Sequence, residues 1–152
     1  MTFLGLRASA QEVRYAILEK NTDGNIVFVN QASENRLKYP ANIESVEEKL
    51  NWIKTELDRI LRQNTAIEKI IIKTNEYAGT ENAAKRETTY VDAIFLLCAV
   101  EHGLPVIRKL NSQIGSTATR AKELAESRVG RTERYWNNTM ADAILAAFWE
   151  IR

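Results

Sequence analysis

The sequence predicts an α/β protein built on a mixed five-stranded sheet, with strands 1–3 antiparallel, strands 4 and 5 parallel, and helices on both faces. Three observations carry this. Apolar, strand-like runs follow one another at 3–8, 13–19 and 26–29, joined by short polar turns. A later run, Ile70-Ile71-Ile72, is β-branched and apolar on both faces, as in a strand covered by helices on each side. Helical periodicity separates the third run from the fourth and the fourth from the fifth, and strand–helix–strand connections join parallel strands.

The elements follow in order. Val13, Tyr15 and Ile17 alternate with Arg14, Ala16 and Leu18. In Asn21-Thr22-Asp23-Gly24-Asn25, the Asp-Gly pair supplies the positive φ of a tight turn before Ile26-Val27-Phe28-Val29. Residues 30–42 are polar, contain Pro40 and read as a loop. Ser45 and Glu48 have capping-box spacing. Val46, Leu50, Ile53, Leu57, Ile60 and Leu61 then form one helical stripe, flanked by Trp52 and stopped by Asn64. The fourth strand is expected at 67–72 and a loop at 74–80. A helix is expected at 81–102, closed by Gly103. Leu104-Pro105-Val106-Ile107 starts the fifth strand, with proline where no ladder bond is lost. Residues 111–119 lack a pattern, 119–129 read as a helix ended by Gly130, and the last helix starts at Asn138 or Thr139. Met140, Ala143, Ile144, Ala147, Phe148 and Ile151 recur along it at helical spacing.

With 152 residues, 45% apolar and 27% charged, the chain is expected to form a single domain over 1–152. A chain of this size buries about 70% of its unfolded surface. No apolar run approaches the ~18 residues of a membrane span, and Met1-Thr2-Phe3 enters a strand with no basic leader. A cytoplasmic location without membrane contact is the expectation. One Cys and one His exclude a structural zinc site, and Cys98 within an apolar block reads as a buried thiol. Net charge is +1. Between Ile107 and Trp136, Arg108, Lys109, Arg120, Lys122, Arg128, Arg131 and Arg134 face only Glu123, Glu126 and Glu133. A solvated helix face accounts for that excess as well as a nucleic-acid surface does.

The element order is that of the RNase H-like fold, and local motifs narrow it. Gly5-Leu6-Arg7-Ala8-Ser9 followed by Tyr15-Ala16-Ile17-Leu18, the junction Ala99-Val100-Glu101-His102-Gly103-Leu104-Pro105-Val106, and Ala141-Asp142-Ala143-Ile144-Leu145-Ala146-Ala147 occur in order. Together they resemble the RuvC-like branch, the Holliday-junction resolvases, over essentially the whole chain. The resemblance implies a nuclease whose carboxylates hold two divalent metals, one activating water and the other stabilising the leaving oxygen. Those carboxylates come from the ends of strands one and four and from the last helix. The matching positions here are Arg7, Lys73 and Asp142, with Thr139 or Asn138 a turn before the last. A cation about 4 Å from a divalent ion is repelled by roughly 8 kcal/mol at an effective dielectric of about 20. The expected chemistry therefore has no metal site and no cofactor.

The resemblance then implies a catalytically inactive, resolvase-like domain that binds DNA or RNA, or that serves in a DNA-processing or defence complex beside a nuclease or ATPase subunit. It also implies a homodimer. Two alternatives stay open: an active Mg²⁺-dependent endonuclease with a shifted carboxylate set, Glu76, Asp142 and Glu12, and a protein-interaction scaffold without nucleic acid. Asp142 is expected to pair with Arg7, Lys73 or both; otherwise all three are exposed charges at loop ends. Lys85, Arg86, Arg128, Arg131, Arg134 and Trp136 are the candidates for nucleic-acid contact, through phosphates and stacked bases. Tyr135 and Trp136 could equally pack the last helix. His102 reads as a favourable charge at a helix C-terminus, and Gly115 and Gly130 form no phosphate loop.

Overall fold

Two apolar runs separated by Ser9, Ala10 and Gln11 fold back on each other as β1 (Thr2–Ala8) and β2 (Glu12–Lys20), paired antiparallel from Thr2↔Glu19 to Ala8↔Val13. The computed structural model describes residues 1–77 and 79–152; Ala78, within the loop expected at 74–80, lies outside the described residues. Among these, the chain continues through β3 (Ile26–Phe28), β4 (Arg36–Lys38), α1 (Val46–Gln63), β5 (Lys69–Lys73), α2 (Ala83–Glu101) and β6 (Val106–Lys109). A 3-10 turn (Asn111–Ile114), α3 (Ala121–Arg128) and α4 (Asn138–Ile151) complete it. The sheet order is β3-β2-β1-β5-β6, with β4 also on β2. β5 runs parallel to both β1 and β6.

The mixed sheet and its helices are as the sequence predicts, with six strands in place of five. The sixth, β4, lies inside the stretch expected to be loop. It is three residues long, and of these only Leu37 is buried, so it leaves no run of alternation to read. β3 and β4 share one edge of β2, and asparagines fill the gap between them. Ile17 N donates to Asn30 Oδ1 (2.7 Å), Asn30 Nδ2 to Tyr15 O (3.2 Å), and Tyr15 N to Asn35 O (3.1 Å). The Asn30 side-chain amide and the Asn35 backbone carbonyl thus supply the partners that a buried strand edge requires. Other boundaries move by a residue or two. β5 starts at Lys69, α3 at Ala121, and α2 at Ala83, where the Asn82 side chain accepts from Lys85 N. Residues 111–114, expected to be irregular, form the 3-10 turn.

Two cores flank the sheet. Leu4, Leu6, Ile70 and Ile72 meet Ile53, Leu57 and Ile60 of α1 and Val91, Phe95 and Cys98 of α2. On the opposite face, Phe3, Ala16, Leu18 and Ile71 meet α3 and the almost wholly buried α4. Fully burying each large aliphatic side chain contributes about 1.5–3 kcal/mol. Among the described residues, no helix is long and apolar enough to cross a membrane.

The contact that sets the depth of α4 is at Gly5. A Cβ there would lie 2.0 Å from the carbonyl oxygen of Ala143 and 3.1 Å from Ala147 Cβ. Glycine on the strand and alanines on the helix let the two backbones touch. Gly5→Ala is therefore expected to cost more than about 3 kcal/mol, beyond ordinary overpacking, because the obstacle is backbone. Urea unfolding, or loss of soluble protein, reads this out; a loss below 1 kcal/mol would show that α4 can lift off freely.

Candidate functional site

The register places five cations in one row across the sheet. Arg36 lies opposite Arg14, Arg14 opposite Arg7, Arg7 opposite Lys73, and Lys73 opposite Lys109. Directly opposed residues share a face, so the row runs along the side covered by α4. Like charges set opposite one another destabilise a sheet, and the surroundings offset most of this. Glu12 contacts Arg36 and lies 3.9 Å from Arg14. Arg14, fully buried, also donates to the Asn35 carbonyl (3.1 Å) and Asn35 Oδ1 (2.9 Å), and to the Tyr135 carbonyl. Lys109 Nζ lies 3.0 Å from Glu150 Oε2. Arg7 Nε lies 3.5 Å from Asp142 Oδ2, and its Nη1 donates to the Lys73 carbonyl (3.2 Å).

Lys73 differs. It is 2% exposed, and its ammonium donates to the Thr74 carbonyl at 2.6 Å. No carboxylate among the described residues forms an ion pair with it within 4.0 Å. Burial, and then the neighbouring Arg7, lower its pKa from the usual lysine value, with Asp142, Glu76 and Asp92 acting against them. Burial raises the Asp142 carboxyl, while Arg7 and Lys73 hold it down.

Above the row, a cleft of about 540 Å³ brings together Arg7, Lys73, Glu76, Lys85, Thr139 and Asp142. Its remaining polar lining is uncharged, with Ser9, Asn75, Asn82, Asn111 and Asn138 among it. α4 delivers Thr139 and Asp142 because Asn137 caps its first turn, accepting from Met140 N (2.9 Å). Arg7 and Asp142 form the expected pair, and neither is an exposed loop-end charge. Of the residues expected to touch nucleic acid, only Lys85 lines this cleft. Arg86 is exposed beside Glu81 (3.8 Å), and Arg128 is exposed at the end of α3. Arg131 lies 4.0 Å from Glu126 and 5.8 Å from the Trp136 ring centroid, while Trp136 packs against the α4 core. Arg134 and Tyr135 line a separate cleft with Arg36, whose guanidinium sits 4.0 Å over the Tyr135 ring.

The carboxylates do not fit a two-metal site. Magnesium requires several oxygen ligands in near-octahedral array. Glu12, a member of the alternative set, is held away from the cleft by Arg36, and Asn137 Nδ2 donates to it at 3.3 Å. Glu76 Oε1 accepts from the Asn111 amide (2.9 Å). Among the described residues, no three His, Cys, Asp or Glu side chains stand together as a metal group.

Reading by position missed Asp92. It faces the sheet from α2, 7% exposed, and its Oδ1 has no hydrogen-bond partner among the described residues. Burial pushes its carboxyl up to about 7, against the pull of Arg7, Lys73 and Arg108. The legible signal was a lone acid inside the apolar run Val91-Asp92-Ala93-Ile94-Phe95.

This arrangement of strands, helices and cleft is the RuvC-like resolvase fold. The fold superposes on Thermus thermophilus RuvC in complex with a Holliday junction substrate with a TM-score of 0.77, at 16% identity over 98% of this chain and 92% of that one. The yeast mitochondrial Holliday junction resolvase Ydc2 gives 0.66, at 16% identity over 98% and 77%. Fowlpox virus resolvase, in complex with Holliday junction DNA, gives 0.54, at 12% identity over 97% and 92%. No family model and no curated protein matches the sequence.

The buried acid has a consequence for stability. Its folded pKa lies above the ordinary 3.8, so the folded state holds a proton that the unfolded chain releases. Stability is lost as pH rises from about 4 to about 7 and is level above that. At about 1.4 kcal/mol per pH unit, the loss is on the order of 4 kcal/mol. Asp92→Asn is expected to be about 2–4 kcal/mol more stable than the parent at pH 8 and nearly equal to it at pH 4. Urea unfolding at the two pH values checks this; destabilisation at pH 8 would show Asp92 to be a stabilising ion-pair partner.

Proposed function

We infer that this protein is a catalytically silent, resolvase-like domain that binds nucleic acid directly through its cations. The observation that carries the reading is the set of cations that line the cleft, Arg7, Lys73 and Lys85, with Arg7 closed onto Asp142. Guanidinium and ammonium groups lining an open polar cleft suit a phosphodiester backbone, to which Arg and Lys donate charge-assisted hydrogen bonds. They do not suit a divalent ion. The resolvases of like fold from Thermus and fowlpox virus are seen with Holliday junctions, which makes branched DNA the first substrate to try. The role follows as a binding subunit in a DNA-processing assembly, with cleavage or ATP hydrolysis supplied by another protein.

A homodimer belongs to the same proposal. Tyr90, Leu97 and Val100 recur on the outer face of α2, with Leu97 54% and Val100 76% exposed. This apolar stripe is available for a second copy, and light scattering at twice 17.3 kDa would show it.

Fluorescence anisotropy with a four-way junction tests the binding. Tight binding in EDTA is expected, with affinity falling about tenfold or more between 50 and 200 mM salt. Lys85→Ala is expected to weaken binding severalfold, with the salt slope reduced by about one. No strand cleavage is expected with Mg²⁺ or Mn²⁺. Affinity indifferent to salt would remove the phosphate reading, and metal-dependent cleavage would restore the enzyme.

A further inference from the structure

A second cleft, of about 410 Å³, opens beside the first between α2, β6 and the segment after β5. The two share Asn75, Glu76 and Lys85, so one ligand can extend from one into the other. The floor of the second cleft is different in kind. Ala93 and Leu96 give it an apolar wall, Thr89 a hydroxyl, and Asp92 and Arg108 opposite charges. The Asp92 Oδ1 atom described above is buried there without a partner, and an unpaired polar atom in such a place normally costs free energy. Arg108 is not within ion-pair distance of it among the described residues. The cleft therefore offers a desolvated acceptor and a separate cation, both waiting for a ligand.

The chemistry that fits is narrow. A carboxylate accepts two parallel N–H bonds, and a neighbouring guanidinium donates to oxygen or ring nitrogen. Guanine presents both sides: N1–H and N2–H donors on one edge, with O6 and N7 acceptors beside them. Adenine has no N1–H, and it turns its N6 donors toward the cation. Cytosine offers only one amino group as donor. An unpaired base held in a pocket is read in this way, through its Watson–Crick edge.

We propose that the Asp92 cleft is a pocket for an unpaired guanine, adjoining the phosphate cleft of the same strand. The phosphate half of this statement rests on the nucleic-acid reading above; the base half does not. Arg108 on β6 shares the cleft with Asp92, with Lys85 and Thr89 on its own helix and Glu76 and Glu81 at the cleft wall, while the charges of Lys73 on β5 and Arg7 on β1 act on it from the α4 side of the sheet. The cations favour the ionised acceptor that guanine needs.

Two titrations separate the halves. Guanosine, which carries no phosphate, is titrated into the protein by NMR at pH 8 and pH 5.5, with adenosine as comparison. Guanosine is expected to bind at least about tenfold tighter than adenosine at pH 8, and to weaken about tenfold or more at pH 5.5, where Asp92 takes up its proton. Asp92→Asn, expected to fold, should abolish the preference. Equal binding of the two nucleosides, no guanosine binding, or a preference that survives in Asp92→Asn would overturn the pocket. Separately, dT12 with a central dG or dA is measured by anisotropy. A preference for dG that Asp92→Asn removes, with dT12 still bound, supports both halves. Oligonucleotide binding without discrimination overturns the pocket alone. Guanosine binding without oligonucleotide binding overturns the nucleic-acid reading alone.

Discussion

The contact between β1 and α4 at Gly5 governs what the rest of the molecule can do. The Ala143 carbonyl occupies the place a Cβ would need, so helix and strand meet backbone to backbone. Asp142, one residue earlier, is then carried down to the end of β1, within 3.5 Å of Arg7. A larger residue at position 5 would lift α4 and separate the pair. The same approach buries the α4 face of the sheet, and this is why Lys73, whose side chain points there, loses nearly all its exposure. Desolvation and electrostatics at the site are consequences of packing.

That geometry brings the charges of the cleft to one place. In an RNase H-like frame the ends of two adjacent parallel strands and one helix converge, and this holds whatever residues are placed there. Here they place Arg7, Lys73 and Asp142. At comparable distances a cation repels a divalent ion as strongly as a carboxylate attracts it, and the cleft sets three cations, Arg7, Lys73 and Lys85, against two acids, Glu76 and Asp142. The row extends past the cleft through Arg14 and Lys109, each offset by its own acid, Glu12 and Glu150. Lys73 keeps no such acid among the described residues, and its buried ammonium is held by the Thr74 carbonyl.

Much of this was legible from the residues because it depends on chain order and period. The strand runs, the capped α1, the closure of α2 at Gly103 and the repeat in α4 all follow local patterns. The meeting of Arg7, Lys73 and Asp142 follows from strand ends and helix starts once the frame is recognised. The sixth strand escaped because three residues show no periodicity and its partner edge is completed by the side chain of Asn30 and the backbone carbonyl of Asn35. The five-cation row escaped because it exists only in the register between strands. Asp92 was visible as an acid in an apolar run, but its significance depends on what α2 covers. The basic segment Arg128 to Arg134 stands outside the cleft lining, and Trp136 packs against the α4 core.

The central claim is that charge inversion at Arg7 and Lys73, in an otherwise intact resolvase frame, excludes divalent metal. Manganese titration followed by electron paramagnetic resonance tests it most directly, comparing the parent with an Arg7→Asp, Lys73→Glu double variant. The account predicts that the parent leaves Mn²⁺ free at millimolar concentration, while the variant, with Asp142 and Glu76 already in the cleft, binds it. Stoichiometric Mn²⁺ binding by the parent, lost in Asp142→Asn, would contradict it.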